Sequence, residues 1–423
     1  LKKLLFISLA VILTLSVALI GCGGTTVTKY DLTVASTAGG STSPAAGTHS
    51  YDEGTDVALT ATPASGYDFV NWTGDVSTVA DVNDPTTTIT MDADYSITAN
   101  FEAQPWTSTI TLSLHMTAPP TASLWEYVYQ PWVSAVQNAT GPDGGKIVFD
   151  VTFGSEPWDE AAAVTAIGDD VTDLGQVNGE TFHLGSIGYI PFLWNMEEAA
   201  YATTIMFGQE VSEWDALGEL DDIKILLGTP LQPAQWWGNV QVTSLADMTN
   251  LLVRAEDPEV PTIEALGAVA ETGIEAGEMA QALQLGTIQG CFFTYSGGAF
   301  AFGLPDVTQY ITQVNLFPRV YVLAMNKAKY DSLPADAKAI IDQYSTPEYA
   351  VQLAAAHDAA QAGAKGYLMG ALHRTIDQLT DLSAWETATA DVKDLWMAEM
   401  DALGFDGQGL YDRALELIED TPS

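Results

Sequence analysis

The chain has 423 residues and sets 55 Asp and Glu against 14 Lys and Arg, a formal net charge of −41 at pH 7. That charge excludes nucleic acid as a partner and argues against electrostatic attachment to an anionic membrane surface. Only 16% of residues are charged and 47% are hydrophobic, so the chain is not an acidic disordered tail and has ample material for a core.

At the N-terminus, Lys2-Lys3 and the apolar run over residues 4–20 form the positive and hydrophobic regions of a signal peptide, expected over 1–21. Its ending, Leu19-Ile20-Gly21-Cys22, resembles the lipobox of bacterial lipoproteins. The resemblance implies lipidation of Cys22 and a chain held outside the cytoplasm, in the periplasm or at the cell surface, by its lipid anchor alone. A plain membrane anchor or an ordinary secretory signal is the alternative, since about 17 apolar residues are at the lower limit for spanning a bilayer. With Cys22 consumed, Cys291 stands alone, and no disulfide is expected. His49, His115, His183, His357 and His373 show no ligand spacing, so neither a metal nor another cofactor is expected.

After a linker over 22–29, residues 30–103 read as a small all-β module. Alternating runs at 30–34, 56–61 and 95–101 are separated by turn-forming stretches at 38–40, 51–54 and 63–67. The string Leu59-Thr60-Ala61-Thr62-Pro63, Gly66-Tyr67, Phe69, Trp72, Gly74 resembles the divergent InlB-type bacterial surface B-repeat, here in one copy. That resemblance implies a spacer or adhesive element. Tyr67, Phe69 and Trp72 are expected as core aromatics, with a carbohydrate platform as the other reading.

Beyond Gln104-Pro105 the pattern becomes α/β. Strands are expected over 110–114 and 146–153, a strand end over 173–176, and helices over 122–140 and 158–167. The stretch 347–376 reads as one helix of about 30 residues, near 45 Å long. Further helices are expected over 381–403 and 409–419, with Trp385 and Trp396 in the core. Alternating strands and helices over so long a stretch predict two α/β lobes with a long helix lying across both.

Arg254 is one of only four arginines and follows the apolar run Leu251-Leu252-Val253, which reads as a buried strand. A guanidinium at a strand end offers a rigid fork of donors that matches a carboxylate. The competing reading is an ion pair with Glu256 or Asp257.

Over about residues 108–420 the order of motifs resembles the solute-binding proteins of TRAP (tripartite ATP-independent periplasmic) transporters. The motifs are Gly144-Gly145-Lys146-Ile147-Val148-Phe149; Val171-Thr172-Asp173-Leu174; Ile190-Pro191-Phe192-Leu193; Ser244-Leu245-Ala246-Asp247-Met248 leading to Arg254; Ala282-Leu283-Gln284 with Gly286, Ile288 and Gly290; and Tyr330-Asp331-Ser332-Leu333-Pro334. The resemblance implies a periplasmic-binding-protein-like domain over 108–423. Lobe I would take about 108–236 and 326–345, lobe II about 237–325, and C-terminal helices 346–423.

It also implies that Arg254 clamps the carboxylate of a small organic acid, and that the receptor delivers it to the subunits of a TRAP membrane permease. Trp236, Trp237, Phe293 and Tyr295 are expected to line the cleft, with Gln176 and His115 facing it at strand ends. Two departures stand out: Asn250-Leu251-Leu252 replaces Gly-Leu-Lys, and Gln289-Gly290-Cys291-Phe292-Phe293 replaces Asp-Gly-x-Glu-Asn. The second predicts a less polar pocket, suited to a 2-oxo, hydroxy, aromatic or branched-chain acid. No nucleophile elbow, zinc-protease motif or phosphate loop is present, so no enzyme is expected. The alternatives are a surface adhesin or glycan-binding lipoprotein, and a receptor that feeds a sensor.

Overall fold

The computed structural model describes residues 27–64, 66–154, 162–194 and 196–421. The expected signal peptide and Cys22 lie outside the described residues, as do the first residues of the helix expected over 158–167. The described residues fall into two compact units, one holding residues 27–64 and 68–102, the other residues 66–67 and those from Ala103 onward.

The first is all β: β1 (Lys29–Ser36), β2 (Gly40–Ser43), β3 (Gly47–Asp52), β4 (Asp56–Pro63), β5 (Tyr67–Gly74), β6 (Thr86–Thr90) and β7 (Tyr95–Ala103). One sheet runs β3-β1-β7-β5 and the other β2-β4-β6. Period-two alternation decides the inner face: on β4, Val57, Leu59 and Ala61 are buried while Asp56 and Ala58 are exposed. Leu32, Val34, Ile89, Ile97 and Ala99 are buried likewise. Trp72 is buried and donates through Nε1 to the Asp84 carbonyl at 3.1 Å. Phe69 is half-buried, with its ring 5.8 Å from that of Trp72, and Tyr67 is half-buried as well. Of the expected core aromatics, Trp72 alone is fully enclosed.

The second unit holds β8 (Thr109–Met116), β9 (Lys146–Phe153), β10 (Leu174–Asn178), β11 (Ile223–Gly228), β12 (Gln235–Gly238), β13 (Leu252–Arg254), β14 (Val269–Glu271), β15 (Gly290–Phe293), β16 (Tyr310–Gln313), β17 (Tyr321–Asn326) and β18 (Ile376–Gln378). They form two sheets, ordered β11-β17-β10-β8-β9 and β14-β13-β15-β12-β16-β18. Strand β17 is buried at every residue, as a strand covered on both faces must be. The chain therefore crosses to the second sheet before Gln235, returns to the first by Tyr321 and crosses again to β18. Trp236 thus stands on the second sheet, not at the end of the first lobe.

The helix Pro347–Gly370 starts where Thr346 caps the Tyr349 amide and Pro347 occupies the first turn. Its 24 residues end short of the expected 376, because the following chain supplies Ile376 to β18. Ala350 and Leu353 pack into the core of the first sheet, and Ala364 and Leu368 into a core of the second. Between them, His357 Nε2 lies 2.8 Å from Ser123 Oγ, and Ser296 Oγ donates to Ser123 Oγ at 2.7 Å. The Ser296 amide donates to Gln361 Oε1 at 2.8 Å. One helix thus ties segments of both lobes. No helix among the described residues is long and apolar enough to cross a membrane.

Burial holds the His357 imidazole neutral, lowering its pKa from 6.5 to about 4. The unfolded chain takes up a proton that the folded one refuses. Stability from this site is therefore complete above about pH 6.5 and is lost as pH falls toward 4, by on the order of 3 kcal/mol. Urea unfolding across that range should show this loss in the wild type and a flatter dependence in His357→Gln; parallel curves would contradict the burial effect.

Candidate binding cleft

The approach to Arg254 is built by local hydrogen bonding. Asp247 Oδ2 accepts from the amides of Thr243 (2.9 Å) and Ser244 (2.8 Å), closing a capping box that rigidifies the Ser244-Leu245-Ala246-Asp247 turn. Those amide bonds hold the Asp247 carboxyl below its ordinary range. Asn250 follows with φ 60°, a left-handed conformation Asn tolerates, at the place where the family pattern has Gly. Strand β13 then runs parallel between β14 and β15, with Arg254 opposite Glu271 and Cys291.

Arg254 is 5% exposed. Its Nε donates to the Ile274 carbonyl at 3.0 Å and its Nη1 to Glu256 Oε1 at 2.8 Å, while Nη2 donates to none of the described residues. Glu256 Oε2 accepts from Tyr189 Oη at 2.8 Å and lies 3.2 Å from Arg319 Nε. Arg319 also pairs with the fully buried Glu259, Nη2 to Oε1 at 2.6 Å, and its guanidinium lies 5.0 Å from the centre of the Phe293 ring. Two guanidiniums and two carboxylates thus form a buried, formally neutral quartet. Burial would raise the Glu256 carboxyl, but Arg319 and Arg254 beside it hold it below its ordinary value. Glu259 stays raised, by its burial.

Two cavities open on this quartet. One, of about 610 Å³, is lined by Arg254, Ala255, Ser186, Tyr189, Ile190 and Trp396 among others. The other, of about 880 Å³, has apolar walls from Phe293, Phe302, Tyr321, Leu124 and Leu231 together with Gln176. Glu180, Glu256 and Glu275 line both, so the cleft is shared along that carboxylate edge.

The structure brings Arg254, Gln176 and Phe293 to the cleft and keeps four expected residues away. Trp236 and Trp237 are both fully buried, donating through Nε1 to the carbonyls of Val240 and Phe293 (each 3.1 Å). Strand β12 lies between β15 and β16, so its two tryptophans enter cores on opposite faces. Gly290 makes room for the first: a Cβ there would sit 2.2 Å from Trp236 Cη2. Tyr295 packs in the second of those cores and lines neither cavity, and burial raises its phenol pKa. His115 is 1% exposed and turned to Thr152 Oγ1 (2.8 Å) and the Gly154 carbonyl (3.0 Å). Asp257 lines the smaller cavity, but it is Glu256 that Arg254 pairs with. Sequence reasoning missed Arg319, Tyr189 and Glu259. Arg319 had a signal: a lone cation inside the apolar run from Val314 to Leu323.

A family model described as divergent InlB B-repeat domain matches residues 30–105. The model for bacterial extracellular solute-binding protein, family 7, matches residues 122–398. No curated protein matches. Among solved structures, a TRAP solute-binding protein from Rhodoferax ferrireducens with copurified benzoate is 24% identical, covering 74% of this chain and 98% of its own at a TM-score of 0.65. A marine-metagenome TRAP solute-binding protein specific for aromatic acid ligands, with metahydroxyphenylacetate, is 22% identical over 74% and 100%, TM-score 0.66. One from Bordetella bronchiseptica with bound mandelate is 18% identical over 74% and 100%, TM-score 0.61. At these identities the likeness establishes the two-lobed fold.

Removing Arg319 leaves Glu259, and half of the pairing of Glu256, uncompensated in the interior. Arg319→Met is expected to lower the unfolding free energy by about 3–5 kcal/mol. Arg254→Met costs less, because Glu256 keeps Arg319 and Tyr189. Urea titrations of the two variants check this, and equal losses would contradict the division of labour.

Proposed function

Since the chain belongs to the family 7 bacterial extracellular solute-binding proteins, we propose that it is a receptor that captures a small organic acid in the cleft between its two sheets. It delivers that acid to the subunits of a membrane permease, with the chain tethered through lipid on Cys22 and residues 30–103 acting as a spacer. The observation that carries the reading is Arg254, a buried guanidinium on a cavity wall whose Nη2 donates to none of the described residues.

Glu256 is held by Arg319 and Tyr189 as well as by Arg254, so a ligand carboxylate can share Arg254 without leaving Glu256 unpaired. A charge-assisted hydrogen bond contributes about 1.5–3 kcal/mol, against about 8 kcal/mol for micromolar binding. The rest comes from apolar burial, for which Phe293, Phe302, Leu124 and Leu231 supply the walls. Those walls favour an aromatic or branched-chain tail, the class to which the benzoate and mandelate held by the structural relatives belong. Closure is a hinge motion whose closed population the ligand raises through contacts made to both lobes.

A thermal-shift screen of aromatic, 2-oxo, hydroxy and branched-chain acids should find at least one carboxylate that stabilises the protein. Arg254→Met is expected to weaken that acid by about thirtyfold or more, the effect of truncating a hydrogen-bonded charge pair. Unchanged affinity, or stabilisation by neutral sugars alone, would overturn the reading.

A further inference from the structure

The charges around the cleft ask for more than a carboxylate. The larger cavity is lined by three glutamates, Glu180, Glu256 and Glu275, and by no Lys, Arg or His among the described residues. Arg254 and Arg319 neutralise Glu256. The Glu275 side chain, exposed at the cavity mouth, accepts from the Glu278 amide, a neutral donor, and forms no ion pair among the described residues. Gln176, on β10, lines the same cavity; it is 2% exposed, and its Oε1 has no hydrogen-bond partner among the described residues.

A buried acceptor without a donor is costly, and so is an added anion beside carboxylates in a partly enclosed cavity. Both costs fall if the solute brings its own positive group. Its N–H donors satisfy Gln176 Oε1, and its charge balances Glu275.

We propose that the solute is a zwitterion, with its carboxylate on Arg254 and a protonated amine among Glu275, Glu180 and Gln176. This rests on the receptor reading above and narrows its substrate class. A matched pair of probes separates the two claims: 4-(aminomethyl)benzoate and 4-methylbenzoate share ring and carboxylate and differ in the amine. Calorimetric titration of the full-length protein should show the aminomethyl compound binding about tenfold tighter or more, the effect of a charge-assisted hydrogen bond to Gln176, and Glu275→Gln should lower the ratio of the two affinities. Equal or tighter binding of 4-methylbenzoate overturns the zwitterion and leaves the carboxylate receptor standing. A ratio unchanged in Glu275→Gln overturns the placement of the amine. Binding of neither probe, with sugars alone stabilising the protein, overturns both claims. The wild-type ratio carries the test even if the variant fails to fold.

Discussion

Everything in the cleft depends on one electrostatic constraint: Arg319, Glu256, Glu259 and Arg254 are buried together and must neutralise one another. Each charge taken from water costs several kcal/mol unless its partner is well placed. The quartet meets this by handing every carboxylate at least one guanidinium. Arg319, wedged between both acids and against Phe293, fixes the arrangement. Arg254 closes it from the cavity side. Because Glu256 is over-supplied with donors, Arg254 is the member whose remaining N–H groups are left for something else.

The scaffold explains why that group can meet a solute at all. Both sheets build their own cores; the chain crosses between them at two short connections and once through the helix Pro347–Gly370. The helix Pro347–Gly370 packs one end into each core, with His357 and Gln361 joined through Ser123 and Ser296 at the middle. Ser123 also lines the larger cavity, so one member of the hydrogen-bonded tie borders the cleft. A buried tie of this kind gives two rigid lobes a common axis rather than a loose linker.

Much of this was legible in the residues. The β module declared itself by strict alternation, since each sheet buries one face. The turn before Arg254 is carried by Ser244 and Asp247, whose capping roles are chemical and local. Long-range packing was not legible. Two adjacent tryptophans, Trp236 and Trp237, just before the Arg254 strand were both expected to line the cleft, but β12 lies inside its sheet and both faces are covered. His115 sits at a strand end, yet Thr152 on the paired strand and Gly154 just past its end take both ring nitrogens. The long helix was over-extended because nothing local announces that Ile376 must complete a sheet edge. Nor does the sequence show that Arg254 can pair with Glu256, as one reading expected, and also line a cavity.

The account turns on what Arg254 holds. Mass spectrometry of the solute released when the purified full-length protein is denatured tests this most directly. A small carboxylic acid, near-stoichiometric in the wild type and missing from Arg254→Met, is the predicted result. A neutral solute, or the same acid retained by Arg254→Met, would contradict it.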